Sequence, residues 1–356
     1  MVILKQMTSI LTYKYRIKDA TTAKTLQKMS RAVNFVWNYC NATSKMAWQR
    51  DRRWLSEYDM INLTVGCGQE LQLHSHTIQK ICGEHATRRK QAKQSKLRWR
   101  SKKRSLGWIP FKANAIKVEK DRIRYNGHWF RLWLSRPVDG TIKEGSFSQD
   151  ARGRWYVNLQ CAVEDTQPQR GGDAMGIDLG LKDQATLSDG QVFSRENLTQ
   201  QYAERLATAQ RARHKRQART IHAKIANKRK DWAHKTSKAI VEQASAIYVG
   251  NVSSSKLVKT KLAKSVSDAG WAQLRAFLQY KAIRLGVTYA DVNEAFSTVT
   301  CSGCGARTGP RGLSSLGVRS WRCSACGEAH NRDVNAARNI LRVGLGCQSP
   351  EGIPHV

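Results

Sequence analysis

The sequence predicts a multidomain α+β chain: a small β-barrel interrupted by a helical insertion, then a mixed domain of antiparallel strands and parallel β-α-β units. Three observations carry that prediction. The apolar period changes from two to about 3.6 and back within the first 166 residues. A second alternating segment opens near residue 174 and leads into strand–helix–strand order. Near the C-terminus, two CxxC pairs sit just ahead of a short apolar helix.

Residues 8–18, TSILTYKYRIK, partly alternate and read as the first strand. From Thr21 the period lengthens. Leu26, Met29, Val33, Val36 and Cys40 recur at helical spacing, predicting a helix to about Trp48. Polar, helix-compatible sequence continues to about Arg104 and ends in RRKQAKQSKLRWRSKKR. A run of one sign and such density reads as a phosphate-tracking surface rather than a merely solvated helix face. Strand patterns return over 105–166, where WYVNLQCAVE sets Trp155, Val157, Leu159, Cys161 and Val163 on one face, behind a DARGR turn. One barrel (1–20 and 105–166) interrupted by a helical domain (21–104) follows, with QPQRGGD at 167–173 as a linker.

Beyond the linker, AMGIDLGLKDQATLSDGQVFS reads as strand, strand, Asp189-Gly190 turn, strand. A basic helical stretch runs from Asn197 to Ala246. Two short apolar strands, in SAIYVGN and GVTYADVNEAF, flank helical sequence around Trp271 to Leu285. Three antiparallel strands followed by parallel βαβ units is the order of the ribonuclease H-type fold.

Lys and Arg number 61 against 27 Asp and Glu, a formal charge of +34. That excess strains a compact fold by self-repulsion unless a polyanion neutralises it. Nucleic acid fits. A membrane does not, because no apolar run approaches the roughly 18–20 residues that span a bilayer. The N-terminal MVILKQMTSILTYKYR also lacks a small-residue cleavage site. Of nine cysteines, Cys40, Cys67, Cys82, Cys161 and Cys347 are scattered and read as core or surface thiols. The distribution points to a reducing cytosol and one metal site.

That site is Cys301, Cys304, Cys323 and Cys326, spaced C-x2-C-x18-C-x2-C. Two CxxC turns present four thiolates to one tetrahedral Zn2+, and Gly303, Gly305 and Gly327 suit the turns. A full coordination sphere leaves no open position, so this zinc is structural. His330 reads as a polar neighbour outside the cage. Asp333 follows in NRDVNAARNIL, where Ala336, Ala337 and Ile340 mark the packed face of a helix. An acid in a first turn suits the helix dipole, yet Asp333 shares the inner stripe with Ala337 and Ile340. Asp178 lies near the middle or end of an apolar strand in MGIDLG. A lone buried carboxylate there costs several kcal/mol unless a cation offsets it. Hard oxygen ligands suit Mg2+ or Mn2+. A turn carboxylate bonded to backbone amides is the other reading.

The segments GIDLG, KRKDWAHKTSKAIV, KSVSDAGWAQLRAFLQYKAIRLG, STVTCSGCG, WRCSACG and NRDVNAARNI together resemble the C-terminal half of TnpB proteins. Those are transposon-encoded, RNA-guided DNA nucleases related to the miniature type V CRISPR effectors. The resemblance is dense over 174–342 and looser before it. It implies that the barrel is a wedge domain and the insertion a recognition domain. It also implies a RuvC-like nuclease domain at 174–298 and 328–342, a zinc ribbon at 299–327 that handles target nucleic acid, and a disordered tail at 343–356. The implied partners are a guide RNA and double-stranded target DNA with a short adjacent motif. Structural Zn2+ and catalytic Mg2+ or Mn2+ are the implied cofactors, in a cytoplasmic protein that joins the nucleoid when bound.

The family carries three catalytic acids. Asp178 and Asp333 match the first and third. At the second, the strand reads AIYVGNVSSSKL, with Gly250 and Asn251 where a glutamate stands in the family. Glu294, at the end of the neighbouring predicted strand, is the expected replacement. Adjacent strands are about 5 Å apart, and some branches of the family place their glutamate there. Asp291 should point to the opposite face, and Glu242 precedes the strand on a helix. Arg98, Arg100, Lys102, Lys103, Arg104, Arg213, Lys215, Arg216, Lys228, Arg229 and Lys230 are expected on nucleic-acid backbone. Trp37, Trp48, Trp54, Trp108 and Trp129 read mostly as core. The missing canonical glutamate leaves one alternative, a cleavage-inactive, guide-directed DNA-binding repressor. A directly acting transposase finds no His-x-His plus Tyr pattern or resolvase-like serine motif.

Overall fold

Alternate residues of β1 (Thr8–Ile17), namely Leu11, Tyr13, Tyr15 and Ile17, turn inward, as a half-buried strand requires. The computed structural model describes residues 8–18, 20–94, 97–164, 172–251, 265, 268–311, 315 and 317–346. The chain divides into two units, 1–164 and 165–356.

In the first unit β1 lies antiparallel to β7 (Trp155–Glu164), in register from Thr8 opposite Glu164 to Arg16 opposite Tyr156. The whole sheet is antiparallel. Its order is β2 (Trp108–Lys112), β6 (Thr141–Gln149), β7, β1, β5 (His128–Trp133), β4 (Arg122–Tyr125), β3 (Ile116–Glu119). The two edge strands, β2 and β3, follow one another across the turn Ala113–Ala115, so the sheet is nearly closed. Phe111, Tyr125, Phe130 and Phe147 fill its centre, fully buried, with neighbouring rings 5.2–5.7 Å apart. Tilted rings at that spacing are a favoured aromatic packing.

The insertion begins with α1 (Ala20–Asp51), which buries the predicted stripe Leu26, Met29, Val33, Val36 and Cys40. Three helices follow: α2 (Glu57–Leu63), α3 (Cys67–Leu71) and α4 (Ser75–Ala92). A reciprocal Ser56/Asp59 capping box starts α2. The expectation of helix-compatible sequence to Arg104 needs correction. The chain leaves α4 at Lys93 in a left-handed turn (φ 51°), and residues 97–100 lie as a non-helical strap against α1. Asn41 takes the Leu97 N–H (2.7 Å) and donates to the Leu97 carbonyl (2.6 Å). Asn38 treats Arg100 the same way (2.9 and 2.8 Å), and the Trp37 indole donates to the Arg98 carbonyl (3.2 Å). Side-chain amides thus stand in for a partner strand and satisfy the exposed backbone.

The second unit contains the strands read from the sequence, in one sheet of order β10 (Val192–Ser194), β9 (Asp183–Leu187), β8 (Asp173–Asp178), β11 (Ala244–Gly250), β12 (Thr288–Val292). The first three are antiparallel, while β8, β11 and β12 run parallel. The stretch read as one helix from Asn197 to Ala246 is three: α5 (Leu198–Gln201), α6 (Ala203–Arg211) and α7 (Lys215–Gln243). Arg213, at φ 55°, breaks it, and from Ala244 the chain is already strand. With α8 (Trp271–Leu285), α7 packs Ala233, Ile240, Val241, Leu274 and Leu278 into one core with Ile177, Ile247 and Val249 of the sheet. The last helix, α9 (Arg332–Gly344), crosses β8 so closely that a Cβ at Gly176 would run into the Ala337 carbonyl. It extends two residues into the segment expected as a tail. Residues 347–356, and most of the expected linker, lie outside the described residues. No described helix is long and apolar enough to cross a membrane.

Candidate functional site

Asp178 closes β8 opposite Thr186 of β9. Burial of its carboxyl, then the negative charges of Asp333 and Glu294, push it up to about 7, with Arg332 and Arg319 pulling the other way. Asp178 therefore feels both of the other acids singled out from the sequence.

Glu294 stands two residues past β12, whose final Val292 pairs with Gly250 at the end of β11. The Asn251 N–H donates to the Val292 carbonyl (2.9 Å), and the Asn251 side-chain oxygen accepts the Glu294 N–H (3.4 Å). These bonds tie the two strand ends together. The Glu294 side chain then folds over Gly250. A Cβ at Gly250 would lie 2.5 Å from the Glu294 Oε2 and 3.3 Å from its Cβ. Glu294 fills the space that a side chain at position 250 would need.

Asp333 sits in the first turn of α9, where Asn331 caps the helix by accepting the Asp333 and Val334 N–H groups (3.0 and 3.2 Å). Its side chain is 19% exposed and pairs with Arg319 at 2.8 Å. Asp291 is engaged elsewhere, with Arg275 (2.7 Å) and the Tyr289 hydroxyl (2.9 Å). Glu242 lies 3.6 Å from Lys238 on α7.

The raised pKa of Asp178 fixes the sign of a pH effect. Folding favours its protonated form, so this contribution is fully present below about 3.8 and is lost as pH rises through about 7. Without divalent ions, Asp178→Asn is expected to melt above the wild type, by a gap that widens from pH 5 to pH 8. Each kcal/mol relieved should appear as about 2–4 °C. Identical melting curves at pH 8 would show that no ionised carboxylate is trapped there.

The four cysteines come together as the spacing predicts. Their sulfurs all lie within 4.8 Å of one another, with Cys301–Cys326 and Cys304–Cys323 both 3.7 Å apart. A tetrahedron with Zn–S bonds of about 2.3 Å has edges of about 3.8 Å, so the sulfurs fit zinc. The three carboxylates are more widely spaced and do not meet that mutual separation. The Thr308 hydroxyl donates to the Cys323 sulfur (3.2 Å) and lowers that thiol to about 6. Gly305 and Gly327 take φ near +80° as the turns require. A Cβ at Gly303 would push the Glu328 carboxylate aside. His330 is nearer than expected: buried, with Nε2 3.0 Å from the Cys301 sulfur and its ring 4.7 Å from that of Trp321. It lies on the hairpin of β13 (Ser320–Arg322) and β14 (Ala329–Asn331), which carries the ribbon past residue 327.

Two residues of this region escaped the sequence reading. Asn335 accepts the Ser302 N–H (2.8 Å) and donates to the Ser297 and Thr300 carbonyls (3.2 and 2.8 Å). Asn339 donates to the same two carbonyls (2.8 and 2.6 Å). Together they fasten the turn before Cys301 to the helix that bears Asp333. The signal was present: two amides one helical turn apart on the alanine face of NRDVNAARNI.

The basic candidates divide. Arg98, Lys102, Lys103 and Arg104 are exposed along the strap, with Trp99 48% exposed among them. Arg100 turns inward instead. Its guanidinium bonds the Asn34 side chain (2.7 Å) and the Leu106 carbonyl (2.9 Å), above the Trp108 ring. Arg213, Lys215, Arg216, Lys228 and Lys230 are exposed. Arg229 is half-buried and paired with the buried Asp268 (2.9 Å), which also binds Arg195 (3.3 Å). Arg100 and Arg229 are therefore engaged with partners inside the fold. Of the five tryptophans read mostly as core, Trp54 alone is exposed.

Residues 158–261 match the OrfB_IS605 family model, described as "Probable transposase", and residues 271–340 match the Cas12f1-like TNB domain. A Streptomyces pristinaespiralis protein named "Putative RNA-guided DNA endonuclease" is 32% identical over 283 residues, 72% of this chain and 68% of its own. InsQ of Escherichia coli (strain K12), which carries the same description, is 32% identical over 251 residues, 62% of this chain and 61% of its own. The cryo-EM structure of the Cas12f1–sgRNA–target DNA complex superposes with a TM-score of 0.60 at 13% identity, over 94% of this chain and 99% of that one. The fold is shared.

Proposed function

Because the chain belongs to the TnpB family of RNA-guided DNA endonucleases, we propose that Asp178, Glu294 and Asp333 are its catalytic acids, in a RuvC-like, ribonuclease H-type site. The Glu294 carboxylate resting over Gly250, within the field of Asp178, carries this reading. Three carboxylates that repel one another and partly shun water suit divalent cations. An all-oxygen set favours Mg2+ or Mn2+. Bound ions would supply an activated water and offset charge on the attacking and leaving oxygens. The chain's own task is to hold the acids still. Asp178 comes from a strand end, Glu294 from a turn laced to its neighbour, and Asp333 from a capped first turn.

The partners are a guide RNA and double-stranded target DNA bearing a short adjacent motif. The structural neighbour is a complex with sgRNA and target DNA. Base pairing reads the target, while the wedge barrel and recognition insertion hold the hybrid by shape and backbone. The exposed strap and the start of α7 are the phosphate-facing surfaces, the zinc ribbon handles the target strand, and the protein acts in the cytoplasm on nucleoid DNA.

The deciding experiment is to purify the chain with its RNA, sequence that RNA, and offer a matching plasmid in Mg2+. Cleavage that follows a reprogrammed guide supports the reading, and guide-independent or absent cleavage overturns it. The strap makes a second test. Arg98→Ala and Arg104→Ala should each lower the log–log salt slope of RNA binding by about 0.7–0.9 per lost contact, at unchanged melting temperature. Arg100→Ala should instead lower the melting temperature, because it removes a guanidinium that bonds Asn34 and the Leu106 carbonyl. If all three variants behave alike, the division between surface and anchor is wrong.

A further inference from the structure

Phe296 lies two residues beyond Glu294 with φ +63°, a region that bulky side chains enter only at a cost. Burial does not compensate, since the side chain is 54% exposed. The surrounding turn imposes the conformation. The Ser297 N–H donates to the Glu294 carbonyl (3.0 Å), and the Val299 and Thr300 N–H groups both donate to the Phe296 carbonyl (3.0 and 2.9 Å). The Gly309 N–H holds the Val299 carbonyl (2.8 Å), and Asn335 and Asn339 hold those of Ser297 and Thr300. An over-determined turn that keeps a strained residue at a reactive site points to a contact role for that residue. Arg307, itself exposed, places its guanidinium 4.5 Å from the ring centroid. An open aromatic surface and a cation thus stand together beside one of the proposed catalytic acids.

We propose that Phe296 and Arg307 form a shelf for an unpaired nucleotide of the strand being cut: the base stacks on the ring and the guanidinium takes a neighbouring phosphate. This rests on the assignment of Glu294 to the cleavage site. Stacking of this kind is open only to a base released from its neighbours. It tolerates any sequence, because every base has a π-face. That tolerance suits an enzyme whose specificity lies in guide pairing. Phe296 is therefore a substrate-positioning residue that sets where the scissile strand lies relative to Glu294.

The test uses the full chain without divalent ions and two probes, a short labelled single-stranded DNA and a blunt duplex of the same sequence. Phe296→Ala should weaken single-strand binding roughly 5- to 150-fold, leave duplex binding within about twofold, and keep the salt slope. Phe296→Trp should bind like the wild type. Arg307→Ala should lower the single-strand slope by about 0.7. Phe296→Gly is the critical variant. Glycine adopts positive φ freely, so the melting temperature should hold or rise while single-strand binding falls as in Phe296→Ala. A melting temperature that drops along with binding would make Phe296 a structural residue and overturn the shelf. Wild-type single-strand affinity in Phe296→Ala would overturn it equally. Neither result touches the assignment of the acids, which stands or falls with cleavage by Glu294→Gln.

Discussion

Glu294→Gln is expected to cleave guide-matched DNA at least about 10²–10³-fold more slowly than the wild type, with guide and target binding preserved. The amide keeps the size of the side chain and removes the charge that would hold a divalent ion. Losing about 3–4 kcal/mol of transition-state stabilisation gives that factor. The geometry supplies a sharper form of the same prediction. Gly250→Glu alone should cleave more slowly, because its Cβ would lie 2.5 Å from the Glu294 Oε2 and push that carboxylate aside. Combined with Glu294→Gly, the same substitution should restore cleavage, since it returns a carboxylate to the shared space from the adjacent strand. Plasmid cleavage in Mg2+ compares the three variants. Wild-type rates from Glu294→Gln would mean that the third acid lies elsewhere.

If the four-cysteine cluster holds a structural zinc, its loss is expected to be nearly as severe, although a full set of thiolates leaves no position open to substrate. Cys304→Ser, or chelation of the wild type, should remove the zinc and stop cleavage. Structural zinc in small domains supplies about 10–16 kcal/mol, comparable to the whole stability of an ordinary domain. Without it the ribbon has too little core to persist. The damage passes through Asn335 and Asn339, whose amides grip the Ser297 and Thr300 carbonyls. That grip connects the turn after Glu294 to the helix that carries Asp333. A displacement of about 1 Å among reacting groups can cost 10²-fold. Zinc content, melting temperature and cleavage rate, measured together, check this. A zinc-free chain that still cleaves at the wild-type rate in Mg2+ would disconnect ribbon and site. Asn335→Ala should keep its zinc yet cleave more slowly, which separates the grip from the metal.

Much of the architecture was legible because it follows from period and spacing. The alternation of WYVNLQCAVE, the stripe from Leu26 to Cys40 and the C-x2-C pairs each have one compact solution, and the chain adopts it. Direction was less legible. Arg98 and Arg100 are identical in type and two residues apart, yet one faces solvent and the other braces Asn34. Only the asparagine clamps of the strap decide which way each points, and period says nothing about side chains that replace a strand. The break at Arg213 was hidden too, since a left-handed arginine leaves no compositional mark. The candidate site shows the same limit. The residues could nominate Asp178, Asp333 and Glu294, but that the last folds over Gly250 depends on the register of β11 against β12. Phe296 went unnoticed because its strain and exposure belong to the turn and leave no pattern in the letters.

The bare strand end at Gly250 bears on how relatives are read as well as on chemistry. A glutamate at position 250 and one at position 294 would compete for the same space, so a chain carrying both would have to swing one carboxylate aside. A census that scores only the last residue of β11 would overlook the carboxylate that Glu294 brings to the same space.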